Sequence, residues 1–386
     1  MFLAKRENNP LRENILVNTR QCKHFPGDPE RSIALMEELG RKLAQDGRAD
    51  KTTVVIAFAE TATAIGAVVS GFFHDCFFVT TTREKLPDWA TAIGFEEQHS
   101  HAPQHYLCVR DEDAFRRAAQ VILVDDEFTT GRTAMNLIRA LDGCLAPRCS
   151  IYAAALAASA ESFENFRSAG ITPVYLASSD GIVGCSAPEL PAPDRAVIPR
   201  KPDRITHVNS IYDPRLGVRA DSFLAECSSF CTRLAGEISA SGTVEIIGTE
   251  EFCYPALLLG KMLAGKCRAV VHCSTRSPML PCGGRDGFAE PSVSFAARKD
   301  KASGLPQRTQ KKSRSHGTYD KFRDAPQTET RRTQMRTPEF RIVSSKEALR
   351  ATVNSQPIIR DSRFILLILS LGKYRKASIW QKNSKI

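Results

Sequence analysis

No two cysteines of this chain stand two residues apart, although it holds 12 of them. The nearest pairs, Cys144/Cys149 and Cys227/Cys231, carry no zinc-ligand signature, and the rest are scattered. That usage points to reduced thiols and a cytosolic chain rather than to a disulfide framework. The N-terminus lacks the basic stretch and apolar core of a secretory signal, so none is expected. Long apolar runs are missing too. The longest late one, FILLILSLG at 364–372, falls far short of the roughly 20 residues a membrane-spanning helix needs, and no membrane partner is expected. Positive charge is scarce where a nucleic-acid face would need it. After residue 297 there are 22 Lys and Arg against 7 Asp and Glu, whereas the first 297 residues carry 31 against 36. The net charge of +10 therefore belongs to the C-terminal stretch, and nucleic acid is unlikely as a partner except through it.

What is present is an alternation of strands and helices. At 386 residues, 42% apolar and 25% charged, the chain is long enough for two globular domains. Residues 1–30 read as an irregular N-terminal arm. From Ser32 to about Asp46, Ile33, Met36, Leu39 and Leu43 recur at helical spacing. TTVVIAF at 52–58, CFFVTTTREK at 76–85, VILVD at 121–125 and SIYAAALA at 150–157 read as strands, with PVYLAS as a shorter fifth. Helices are expected after AETATAIG, from Thr133 and near Glu161–Ala169, and 86–106 is a long polar connection. Such alternation predicts a parallel sheet covered on both faces, which binds ligands beyond the carboxyl ends of its strands. AETATA, TTTREK and DDEFTTGRT all fall at those ends.

Proline-rich residues 180–215 read as a linker. Beyond them, TVEIIGTEEFCYPALLLGKMLAG and CRAVVHCSTRSPM repeat the order strand, polar loop, helix, strand. Glu60 and Arg83 are 23 residues apart in the first block, Glu250 and Arg276 are 26 apart in the second. A diverged duplication and the ordinary recurrence of α/β units both account for this echo. After Phe295 the composition turns basic and poor in large apolar residues, which predicts a disordered basic tail over 296–386, either native or out of frame.

VILVDDEFTTGRT at 121–133 runs a buried strand into two acids and a hydroxyl-rich loop. Helix capping accounts for one acid. A receiver domain also ends a strand in an acid pair, but leaves TTGRT without a task. A sugar-phosphate cradle uses every residue. The hydroxyls of Thr129, Thr130 and Thr133, the backbone at Gly131 and Arg132, and a helix N-terminus surround a phosphate, and Asp125 and Asp126 accept from ribose hydroxyls.

This stretch resembles the 5-phosphoribosyl-1-pyrophosphate (PRPP) loop of type I phosphoribosyltransferases. FAETATAIG, TTTREK and EEQHSHAPQHYL are similar to the orotate-phosphoribosyltransferase-like domain of bacterial tellurite-resistance and stress gene clusters. GTEEFCYPALLLGKML and Thr275-Arg276-Ser277-Pro278 are similar to the TRSP domain that follows it. The resemblance implies an α/β parallel-sheet type I phosphoribosyltransferase fold over 31–179 and a second α/β domain of the TRSP kind, apparently incomplete, over 216–295. It implies ribose binding by Asp125 and Asp126, 5-phosphate binding by Thr129 to Thr133, and a pyrophosphate loop at Ala59, Glu60, Thr61 and Ala62. Arg83 and Lys85 would offset the leaving pyrophosphate. Glu97, His99, His101 and His105 fall in the mobile hood loop, where a transition-metal set and a solvated loop are the other readings. In the second domain Glu250, Glu251, Thr275 and Arg276 stand at strand ends, where helix capping competes with ligand binding. The cofactor implied is Mg²⁺, held by the substrate with Asp125 and Asp126; an acid at Glu60 would repel pyrophosphate without it. The implied activity is exchange of pyrophosphate for a nitrogen nucleophile on PRPP or a nucleotide, and a nucleotide sensor without turnover is the alternative. A homodimer and other stress-cluster proteins are candidate partners.

Overall fold

The computed structural model describes residues 1–5, 14–83, 92–96, 104–108, 110–182, 204–209, 212–238, 242–248, 251–273, 339–345 and 365–371. Strands β1 (Phe2–Lys5) and β2 (Asn14–Val17) pair antiparallel at the start of the arm. Helix α1 (Pro29–Leu43) begins earlier than Ser32 because Asp28 caps it: its carboxylate accepts from the Glu30 amide at 2.9 Å and the Arg31 amide at 3.3 Å. Pro29 then takes the first turn, where it forfeits no helical hydrogen bond.

The chain continues through β3 (Thr53–Ala57), α2 (Thr63–Ser70), β4 (Cys76–Thr80), β5 (Ala92–Glu96), β6 (Gln104–Cys108), α3 (Glu112–Arg117), β7 (Gln120–Phe128), α4 (Arg132–Ala140), β8 (Ser150–Ala158), α5 (Ala160–Ser168) and β9 (Thr172–Ser178). It then enters β10 (Arg204–Asn209), β11 (Val218–Arg219), α6 (Ala220–Glu237), β12 (Thr243–Gly248), α7 (Tyr254–Leu263), β13 (Arg268–Cys273), β14 (Glu339–Ser345) and β15 (Ile365–Leu371).

This is an α/β protein with a mostly parallel central sheet in the order β11-β4-β3-β7-β8-β9. β3 lies parallel between β4 and β7, and only β11 runs antiparallel, on the edge of β4. Continuous runs such as Thr53–Ala57 and Cys76–Thr80 are buried at every position, as strands covered on both faces require. One face packs on Phe115, Leu137 and Phe166 from α3, α4 and α5. The other packs on α1 and α2, and its apolar cluster continues into α6, α7, β12 and β13. The two regions thus share one core.

Three stretches depart from the sequence reading. The polar connection after β4 contains the antiparallel hairpin β5–β6, which buries Phe95 and Leu107. The expected linker contains β10, and the expected tail contains β14 and β15. These join β12 and β13 in a second sheet, ordered β10-β14-β15-β12-β13, with β15 parallel to β12. The charge balance of 296–386 is an average, and it masks two runs of strand length, EFRIVSS and ILLILSL.

Candidate functional site

Because β4, β3 and β7 are adjacent and parallel, the three motifs that follow them come together at one edge of the sheet. The Phe58 amide donates to Val124 O at 2.9 Å, which ties the chain leaving β3 to β7. The Ala59 amide donates to Thr81 Oγ1 at 2.9 Å, which ties it to the end of β4. The Ala59–Glu60 peptide is cis. Thr63 Oγ1 donates to Glu60 O at 3.4 Å and the Ala62 amide to Phe58 O at 3.0 Å, closing the loop onto α2. Glu60 is buried.

The arm, read from sequence only as irregular, supplies the floor of this loop. Gln21 Nε2 donates to Thr61 O at 3.0 Å and Lys23 Nζ to Glu60 O at 3.3 Å. Burial alone would lower the Lys23 ammonium, but Cys253, Cys273, Glu60 and Asp126 around it hold its pKa above the ordinary lysine value. His24, beside it, is pushed down to about 4, first by burial and then by Lys23, against the pull of Asp126.

β7 does not stop at the acid pair; it runs on to Phe128, paired with Ala158 of β8. Asp126 lies on the side of the arm, electrostatically coupled to Lys23 and His24. Asp125 Oδ1 accepts from the Asp126 amide at 2.9 Å, and both acids are half-buried.

Thr129, Thr130 and Gly131 lead into α4, with Arg132 and Thr133 in its first turn. Gly131 has φ 72°, and a Cβ there would sit 2.6 Å from the Phe166 ring, so only glycine fits without displacement. The carbonyl side of the loop is held by α5: Ser159 Oγ donates to Thr129 O, and Asn165 Nδ2 to Thr130 O at 3.0 Å. The first turn of α4 holds no acid, so its dipole is available to an anion. Ser159 and Asn165 were not singled out in the sequence, where they read only as part of a helix and its approach.

At the end of β4, Thr82 pairs with Tyr106 across to β6, and its Oγ1 donates to Glu251 Oε1 at 2.9 Å. Glu251 Oε2 also lies 4.0 Å from Arg215 Nε, and Arg215 is held by the Asp213 carboxylate at 2.8–3.2 Å. Glu251 is thus engaged with protein groups. Arg83 is half-buried beside Thr82. His105 belongs to β6, buried with its ring centroid 5.3 Å from that of Phe95. Lys85, Glu97, His99, His101, Glu250, Thr275 and Arg276 lie outside the described residues.

Residues 1–172 match the phosphoribosyl transferase family model, and residues 214–308 match that of the TRSP domain found C-terminal to it. No curated protein matches the chain. Among solved structures, adenine phosphoribosyltransferase from Trypanosoma brucei, in complex with AMP, pyrophosphate and ribose-5-phosphate, is 14% identical, with a TM-score of 0.37 over 51% of this chain and 84% of that one. Adenine phosphoribosyltransferase from Leishmania tarentolae is 15% identical, with a TM-score of 0.31 over 39% of this chain and 71% of that one. Orotate phosphoribosyltransferase from Mycobacterium tuberculosis H37Rv, in complex with Fe(III) dicitrate, is 18% identical, with a TM-score of 0.30 over 46% and 90%. Within this chain, a region that matches the phosphoribosyl transferase model is thus followed by a region that matches the TRSP model.

Proposed function

We propose that the protein binds PRPP, or a ribose 5-phosphate nucleotide, with Mg²⁺ and exchanges pyrophosphate for a nitrogen nucleophile at the anomeric carbon. The observation that carries this reading is the convergence of three loops at the carboxyl ends of β4, β3 and β7. In the forward direction the nitrogen lone pair forms the C–N bond as the C–O bond breaks, and pyrophosphate leaves with the bonding electrons. Thr129 to Thr133 and the α4 N-terminus hold the 5-phosphate, Asp125 and Asp126 orient the ribose hydroxyls, and residues 59–62 with Arg83 receive the pyrophosphate. Among the described residues no group of three or more His, Cys, Asp or Glu could hold a metal by itself. Half-buried carboxylates at Asp125 and Asp126 fit Mg²⁺ carried in on substrate oxygens, because this ion favours a few protein oxygens plus phosphates. Bound there, it would neutralise phosphate charge.

Calorimetric titration of PRPP with Mg²⁺ into the full chain tests the reading. Binding is expected, and Asp125→Asn/Asp126→Asn is expected to weaken it by at least about tenfold; no binding by the parent would overturn it. The buried Glu60, an acid in a loop assigned to pyrophosphate, favours a second reading, a nucleotide sensor that binds without turnover. Binding with no pyrophosphate release across a panel of nitrogenous bases would select the sensor.

A further inference from the structure

A buried cation lies under the 59–62 loop, between it and β13. Lys23 is 2% exposed, and besides Glu60 O its Nζ meets Cys253 Sγ at 3.8 Å. Cys253 precedes the first residue of α7 and is hydrogen-bonded to Cys273, the last residue of β13. The arm itself is stitched to that strand: Gly27 and Val271 exchange backbone hydrogen bonds at 2.9 Å, and the Cys273 amide donates to Cys22 O at 3.0 Å. A charged ammonium at this depth needs a counter-anion, or it would lose its proton. Cys253 is suited to that task. The hydrogen bond from Cys273 and the field of Lys23 overcome its burial and bring its pKa down to about 7, while Cys273 is pushed up as the partner that keeps its proton.

Fixing the Glu60 carbonyl on Lys23 also sets the direction of the next amide. In a trans peptide the N–H points opposite to the C=O, so the Thr61 N–H is aimed away from the arm. The same ammonium is coupled to the acids Glu60 and Asp126, which would otherwise both repel an incoming phosphate. We propose that Lys23 is a positioning residue for anion binding at the 59–62 loop, and that Cys253, from the second region, is the counter-anion that holds it there. This role rests on the reading of that loop as the pyrophosphate site.

The experiment titrates the full chain with PRPP–Mg²⁺ and separately with inorganic pyrophosphate–Mg²⁺, using the parent, Lys23→Met, Lys23→Arg and Cys253→Ser. Lys23→Met is expected to lose at least about tenfold in affinity for both, and Lys23→Arg to recover most of it. Thiolate absorbance against pH supplies a readout that loosened packing would not mimic. The step absent from Cys253→Ser should lie near pH 7 in the parent, stay there in Lys23→Arg and move up in Lys23→Met. Parental affinity in Lys23→Met, or a thiolate step that does not move, overturns this role alone. If Lys23→Met does not fold, Cys253→Ser decides: weakened binding sustains the role and unchanged binding overturns it. No binding of either ligand by the parent overturns the proposed function and this role together.

Discussion

The unit β3–α2–β4 and the unit β12–α7–β13 are built alike, and they use the same position differently. In each, two parallel strands are joined by a helix, and a third parallel strand, β7 or β15, lies on the other side of the first. After β3 the chain places Glu60, Thr61 and Thr63 at the carboxyl edge, where a neighbouring loop offers hydroxyls and carboxylates. After β12 it places Phe252 and Cys253, both buried, and spends the Glu251 carboxylate on Thr82 and Arg215. The described residues after β12 thus pack inward and hydrogen-bond to the end of β4. A strand end is a place where ligands can bind, and the side chains put there decide whether they do.

Four measurements test that contrast, and the largest effect of a single substitution is expected at Arg215. Arg215→Met leaves the buried carboxylates of Asp213 and Glu251 without their cation and should cost about 3–5 kcal/mol in urea denaturation. A loss below about 1 kcal/mol would mean that this buried ion group contributes no more than a surface pair does.

Acid should act on the seam between the two units. His24 and His272 are each pushed down to about 4, chiefly by burial and also by Lys23, so both are harder to protonate folded than unfolded. Between about pH 6.5 and pH 4 the unfolded chain takes up the extra protons, so stability is intact above that window and falls as pH drops through it. The expected loss is on the order of 3 kcal/mol for each ring, read by denaturation at a series of pH values. A flat profile would contradict the burial of these rings.

The crossover helices offer a matched pair of substitutions. A Cβ on Gly66 of α2 would lie 2.4 Å from the Ala57 Cβ, and one on Gly260 of α7 would lie 2.5 Å from the Val271 Cγ2. Each alanine variant should lose about 1–3 kcal/mol. Both should lower the melting temperature, because the Ala57 Cβ on one side and the buried Val271 side chain and Pro29 ring on the other leave no room; an unchanged melting temperature would deny the close approach. The smallest effect is expected for Arg219→Ala, which breaks a half-exposed 2.5 Å pair with Asp75 at the strand that the second region lends to the first sheet. Less than about 1 kcal/mol is expected there.

Much of the first sheet could be read directly. TVVIA, CFFVT and SIYAAALAA are apolar or β-branched runs of strand length, and periodicity located α1 and α4 to within a few residues. Asp28-Pro29-Glu30 even carried the start of α1, had its capping pattern been weighed above the apolar spacing. The arm was not legible. Gln21, Lys23 and His24 follow no period, since each is fixed by a partner 37 to 230 residues away or by burial alone. Nor were β10, β14 and β15 visible as one sheet, because a short run in a charged or proline-rich context does not announce which strand will pair with it.

Sequence alone determined the local chemistry: which stretches alternate as strands and helices, that a hydroxyl-rich loop with a glycine leads into the helix after β7, and that two acids stand before it. Those properties depend on neighbours within a few residues. Tertiary structure alone decided that three such loops share one edge, that Asp126 is coupled to Lys23 and His24 of the arm, and that the arm and Cys253 close beneath Glu60. Strand order and burial bring together residues far apart in the chain, and it is burial that turns an unremarked lysine and two scattered cysteines into a coupled electrostatic group.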